Sequence, residues 1–334
     1  MSLSPGLQYF VDHVHRLLFT VGAQLSLSSL AAALIIAAGT LAWQRRKRGR
    51  RVRAATILRA LFPRWLRHQS THVDFAYLFF NTFVFGLALG WAVLSYQFIS
   101  NTIIGSLVAV FGPASPSALP ALVPRAGITL ILFLAYELGY WVQHWICHKV
   151  PFMWEFHKVH HSAEVLTPVT VFRVHPVDSL LFANVLALFA AIGNGFGHYL
   201  FGDTAHQYAL SDTNLILVLF IHAYVHLQHS HMWIAFRGVL GRILLSPAHH
   251  QIHHSDDPKH FNRNLGSCLA VWDWLFGTLY VPEKKREKLS FGVAEHADPH
   301  TIKGELFTPF VEAAGQLKPA RDLDPLPAVE RKRA

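Results

Sequence analysis

The sequence predicts an all-α, polytopic membrane bundle of about four to five spans plus interfacial helices, with a histidine-rich two-metal site on its cytoplasmic face. Three observations lead there. The 334-residue chain is 52% hydrophobic and only 15% charged, unlike an average soluble domain. It holds several uncharged stretches long enough to cross a hydrocarbon core of about 30 Å. Many of its 23 histidines fall into tight clusters beside those stretches.

Leu17 to Gln44 has no charged residue and reads as the first span. A secretory signal is excluded because the apolar run is too long and the cationic run follows it. That run, Arg45 to Arg53, continues in Arg59, Arg64 and Arg67, and the positive-inside rule makes the loop cytoplasmic and the N-terminus external. The formal charge of +9 is thus accounted for by topology and anionic lipid. No nucleic-acid motif accompanies it, so no nucleic-acid partner is expected.

Phe75 to Ser100 reads as a second span, and Gly112 to Pro124, rich in Pro and Ser, as an external connection. From Ile128 a third span runs back, with Glu137, Trp141, His144 and His148 on one helical face. A carboxylate facing lipid near mid-helix is costly, so Glu137 should point inward, as a metal ligand, as a partner that orients one, or as a polar contact between helices. Pro151 separates this helix from the next. Ser179 to Leu200 and Thr213 to Tyr224 form a helical hairpin through a short polar connection with Gly202 and Asp203. Met232 to Leu245, about 14 residues, suits an interfacial helix. Ser255 to Pro258 reads as a turn, and Trp272 to Tyr280 as an aromatic segment able to seal a site, with Asp273 placed to orient an imidazole. The chain divides into residues 1–70 (first span and basic loop), 71–282 (membrane catalytic domain) and 283–334 (a charged, Pro-containing tail).

Four histidine clusters carry the chemistry: His144 and His148; His157, His160 and His161; His222, His226 and His229; His249, His250, His253 and His254. Spacings of three and four set the imidazoles of each cluster about 5 to 6 Å apart at Cβ on one helical face. A structural zinc needs four ligands and a catalytic one usually three. The clusters offer more than six, which two metals explain more simply. Cys147 and Cys268 cannot support a disulfide framework and read as small buried hydrophobes.

The ordered set of HxxxH, HxxHH and a late HxxHH within Ser246 to Ser255, followed by Asn264-Leu-Gly266 and Trp272 to Thr278, resembles the fatty acid hydroxylase and sterol desaturase superfamily over about Phe133 to Val281. That resemblance implies a membrane-bound, non-haem di-iron oxidoreductase that uses O2 to hydroxylate a lipid, with desaturation the nearest variant. Zinc can replace iron during purification. The chain has no haem, flavin or nucleotide motif, so a separate redox partner of ferredoxin or cytochrome/reductase type is implied. The expected ligands are His144, His148, His157, His160, His161, His222, His226, His249, His250, His253 and His254. His229 and His231 lack a counterpart in the family pattern and stay outside the set. Arg173, His175 and Pro176 resemble the family's R-x-H-P element, followed by Asp178, which gives His175 a candidate catalytic role beside Glu137 and Asp273. Glu137 and Trp145 stand where the family more often has Asp and a basic residue. The expected location is a membrane, the bacterial inner membrane ahead of the endoplasmic reticulum. Two other classes compete: a zinc-dependent membrane hydrolase, which the absence of HExxH disfavours, and a metal store or transporter, which would spread polar residues along mid-membrane helices.

Overall fold

The computed structural model describes residues 4–63, 67–85, 94–113, 119–202, 206–283, 285–293 and 301–317. Arg64, Asp203 and part of the Gly112–Pro124 connection lie outside them. The described chain is mostly helical, and its one small sheet is a two-stranded hairpin pairing Ala209–Leu210 with Thr213–Asn214.

The apolar N-terminal region is divided. Helix α1 spans Pro5–Phe19, and α2 starts only at Leu27 and runs to Lys47. Gly22, at φ 97°, makes the turn between them, and the Ser26 hydroxyl caps α2 by accepting from the Ser29 amide. The first long apolar helix therefore begins ten residues after Leu17. The stretch from Phe75 to Ser100 is divided too. Helix α4 (Gln69–Phe80), after the short α3 (Ala54–Leu61), runs on into a π-helical turn at Asn81–Phe85, and Ser95 caps a new helix, α5 (Tyr96–Phe111).

Helix α6 (Leu122–Lys149) has 28 residues, about 42 Å of helix, more than the hydrocarbon core requires. Its last turns, with His144 and His148, can therefore project beyond it. Val150 is extended, and Pro151 occupies the first turn of α7 (Pro151–His161), where its missing N–H costs nothing. This is the bend that the proline foretold. Helix α8 (Pro176–Phe201) starts in the same way, with His175 as its cap.

Helices α6 and α8 form the most extensive pairing, and α5 packs on the other side of α8. Two glycines make this close approach possible. A Cβ on Gly193 would lie 2.7 Å from Ala135 Cβ, and one on Gly195 2.7 Å from Ile103 Cβ. Among the described residues three helices, α2, α6 and α8, are long and apolar enough to cross a membrane.

Helix α9 (Leu215–Phe220) continues through a π-helical turn, Ile221–Val225, into a last turn, His226–Gln228. Between Met232 and Leu245 only α10 (Leu240–Ile243) is helical, so the expected interfacial helix is a mostly irregular segment. Gly238, at φ 59°, interrupts it. Helix α11 (Pro247–His253) carries the last cluster, and α12 (Val271–Leu275) the aromatic segment. The region after Pro282, whose sequence lacks strong apolar periodicity, contains α13 (Ile302–Gln316), docked on α7.

Candidate metal centre

Nine imidazoles converge in two groups: His144, His148, His157, His161 and His253, and then His160, His229, His250 and His254. Within each group one ring nitrogen per residue lies within 4.8 Å of all the others. Each HxxHH motif is shared between the groups by helical geometry. On α7, His157 and His161 are four apart and face the first group, while His160 turns to the second. On α11, His250 and the following His254 face the second group and His253 the first. Helix α6 supplies only the first group, and the end of α9 supplies only His229 to the second.

Hydrogen bonds fix the ring orientations. The Nδ1 atoms of His144, His157, His160 and His253 lie 2.7, 2.8, 3.2 and 2.9 Å from Leu265 O, Asp178 Oδ2, Arg173 O and Arg263 O. These oxygens can only accept, so each of the four neutral rings spends its single N–H there and presents a lone pair at Nε2. The Nε2 atoms of His144 and His157 are nonetheless 3.1 Å apart, with no proton available to join them. In the second group His229 Nε2 stands 3.2 Å from that of His160, 3.1 Å from that of His254 and 2.9 Å from that of His250. His148, His161 and His253 each have a buried Nε2 with no hydrogen-bond partner. Buried acceptors left in this state are destabilising unless something binds them.

A metal ion resolves all of this. Two imidazole nitrogens about 2.0 to 2.1 Å from one ion are about 3.0 Å apart at a right angle and about 3.4 Å apart at a tetrahedral one, which matches the spacings found. Burial favours the metal-binding protonation state, holding His160, His161, His250 and His254 well below the usual histidine range and lowering His229 and His253 to about 3. The residues present fit two resident metals. No carboxylate belongs to either group. The nearest negative charge arrives through His157, whose Asp178 partner is held by Gln143 Nε2 at 2.7 Å and Cys147 Sγ at 3.3 Å.

Placement differs from the sequence expectation at several positions. His222 bonds Ser28 Oγ at 3.1 Å and Val218 O at 2.9 Å, and His226 bonds Ser29 Oγ at 3.1 Å, so both face α2, outside the two groups. The π turn is the reason. It advances the chain by fewer degrees per residue than an α-helix, which rotates these rings away and lets the non-helical His229 (φ −97°, ψ 65°) turn inward. His249 is also outside. Its Nδ1 completes a capping box with Ser246 and its Nε2 meets Gly241 O at 3.1 Å.

Glu137, Asp273 and His175 touch none of the nine. Glu137 accepts from the amides of Cys268 and Leu269 at 3.0 and 2.7 Å. Asp273 accepts from the amides of Leu265 and Gly266, both at 2.8 Å, and so fixes the carbonyl that holds His144. His175 caps α8 through Nδ1 and reaches Leu306 O through Nε2 at 3.1 Å.

A cavity of about 440 Å³ adjoins the histidines. Tyr136, Tyr140, Phe182, Leu217, Phe220 and Ile221 give it apolar walls, and its lining includes His144 and His157 of one group and His160 and His229 of the other.

Residues 129–278 match the fatty acid hydroxylase family. Human alkylglycerol monooxygenase is 30% identical over 164 residues, 48% of this chain and 32% of that protein. The ornithine lipid hydroxylase of Rhizobium tropici is 26% identical over 190 residues, 54% of this chain and 53% of its own length. Human cholesterol 25-hydroxylase is 29% identical over 172 residues, 49% and 57% of the two chains. The chain thus spans between about a third and somewhat over half the length of these relatives. No solved structure matches it. All eleven of the chain's expected ligand positions and all nine converging imidazoles lie inside the matched segment, so the part of the chain that resembles the fatty acid hydroxylase and sterol desaturase superfamily is the part that builds the centre.

Proposed function

We propose that the protein is an O2-dependent lipid hydroxylase with two iron ions, one held by each histidine group. The observation that carries this reading is a largely apolar cavity whose lining includes imidazoles of both groups. When bound, the irons would supply O2 activation and removal of hydrogen from an unactivated carbon. The chain's own residues do the rest. Aromatic and aliphatic walls hold an apolar chain and exclude water, and Asp178 and the carbonyls of Leu265, Arg173 and Arg263 keep the imidazoles aimed. Electrons come from a separate donor of ferredoxin or cytochrome/reductase type. The relatives act on an alkylglycerol, an ornithine lipid and cholesterol by name, and the substrate here is proposed to be a membrane lipid with an apolar chain.

The test supplies purified protein with O2, a membrane lipid fraction and an electron donor, under 18O2. Product gaining about 16 Da in ordinary O2, and 18O in the labelled gas, supports hydroxylation. A loss of about 2 Da without label would move the reading to desaturation. Turnover without O2, or oxygen arriving from water, would contradict both and favour a zinc hydrolase.

We also infer that the histidine groups face the cytoplasm, in what we propose is a bacterial inner membrane; the orientation rests on Arg45–Arg53, which begins in the last turn of α2 and continues beyond it. Both native cysteines are buried, so single introduced thiols report cleanly. A cysteine at Lys285 should label only from the cytoplasmic side and one at Leu119 only from outside; the reverse pattern would invert the topology.

A further inference from the structure

Arg173 is fully buried, and its guanidinium grips both ends of the His160–His161 pair. Nε donates to the carbonyl of Val159 at 3.0 Å, and Nη2 donates to the hydroxyl of Ser162 at 2.8 Å. Its own main-chain carbonyl accepts from His160 Nδ1 at 3.2 Å. The arginine therefore caps the end of α7 and, through its own carbonyl, fixes the ring angle of His160 alone.

Two carboxylates from distant segments neutralise that cation. Asp74 on α4 lies 3.3 Å from Nη1, its other oxygen held by Thr170 at 2.6 Å and Thr167 at 3.2 Å. Glu305 on α13 pairs with Nη2 and lies 3.1 Å from the Ser162 hydroxyl. Both carboxylates are fully buried, and both lie outside the 129–278 segment that matches the family. Helix α13 is tied down further by Lys158, which pairs with Glu312 at 2.7 Å, and by Gln316, which donates to Glu155 at 2.9 Å.

We propose that Asp74 and Glu305 are positioning residues for the His160 metal group, acting through Arg173, so that the C-terminal helix completes a centre otherwise built within the family segment. This rests on the two-metal reading given above. Loss of either carboxylate leaves a buried guanidinium undercompensated. The guanidinium then moves, and the carbonyl that aims His160 moves with it. Only the second group depends on that carbonyl, because His157 is aimed by Asp178 and His144 by Leu265.

The test titrates Co2+ alone into metal-free, full-length protein in detergent, comparing the wild type with Glu305→Gln, Asp74→Asn and Ser162→Ala. The wild type should take up about two equivalents. Glu305→Gln and Asp74→Asn should retain one with unchanged affinity and bind the other about 10- to 100-fold more weakly. Ser162→Ala removes only one hydroxyl from the network and should fold even if the charge variants do not; it should weaken the same equivalent by a smaller factor. Unchanged binding of both equivalents in all variants that fold, or equal weakening of both, would overturn the proposal. A wild-type chain that takes up a single equivalent would overturn the two-metal reading itself and this proposal with it.

Discussion

His229→Ala should abolish lipid turnover while His222→Ala and His226→Ala leave it within a few-fold of wild type. All three histidines sit at the end of one apolar helix at spacings of four and three, so spacing alone would assign them one role. Their surroundings differ. His229 Nε2 stands within 3.2 Å of the Nε2 atoms of His160, His250 and His254, and removing it takes away one of four nitrogens. His222 and His226 bond serines at the start of α2 instead, contacts of roughly 1 kcal/mol each. His249→Ala belongs with the mild variants, since losing its place in the capping box costs about 1 kcal/mol without touching either group. Product formation by mass spectrometry, with membrane-extracted protein quantified alongside, decides the matter. Full activity in His229→Ala, or none in His222→Ala, would contradict the assignment.

How much of this was legible in the sequence depends on whether local periodicity or tertiary contact sets the residue's role. Helices α6 and α8 were legible as long apolar runs marked by Pro151 after the first and Pro176 at the start of the second, although α6 begins at Leu122, ahead of the expected Ile128. Within regular helices the spacing of four was legible, since it keeps His144 with His148, His157 with His161 and His250 with His254, whereas the spacing of three divides each HxxHH motif between the groups. His229 was not legible, because a π turn lies upstream and its own backbone is non-helical. No intrinsic propensity in Ile221–Val225 announces such a turn; the only signal was a further histidine three residues after His226.

The carboxylates show the same limit. Glu137 was expected near the metals because a buried charge needs a partner, but the partners are two main-chain amides of the Cys268–Leu269 loop, a pairing visible only once the chain is folded. Asp178, on the other hand, lies in the first turn of α8 and aims directly at His157. In the region after Pro282 the sequence did not announce helix α13, for a related reason. Helix α13 packs Ile302 and Leu306 inward at ordinary helical spacing but also buries Glu305 against Arg173 and leaves Phe307 and Val311 exposed, which blurs its amphipathic pattern.

The second large effect concerns one ligand from each group. His161→Ala and His254→Ala should each eliminate turnover, since the cavity is lined by imidazoles of both groups and the proposed chemistry uses both ions. The protein should remain in the membrane in either case, because the apolar helices, not the imidazoles, drive insertion. Each variant removes a nitrogen from a different group, so each should lose metal from that group while the other, with its own hydrogen-bonded rings, still fills.

Metal content per chain after anaerobic reconstitution with Fe(II), measured on the same wild-type samples that are assayed for O2-dependent product, tests the central claim most directly. About two irons per chain, falling toward one in either His161→Ala or His254→Ala with activity lost in both, is the result expected from two separate histidine groups. One metal per chain in the fully active wild type, or full activity with zinc in place of iron, would contradict it.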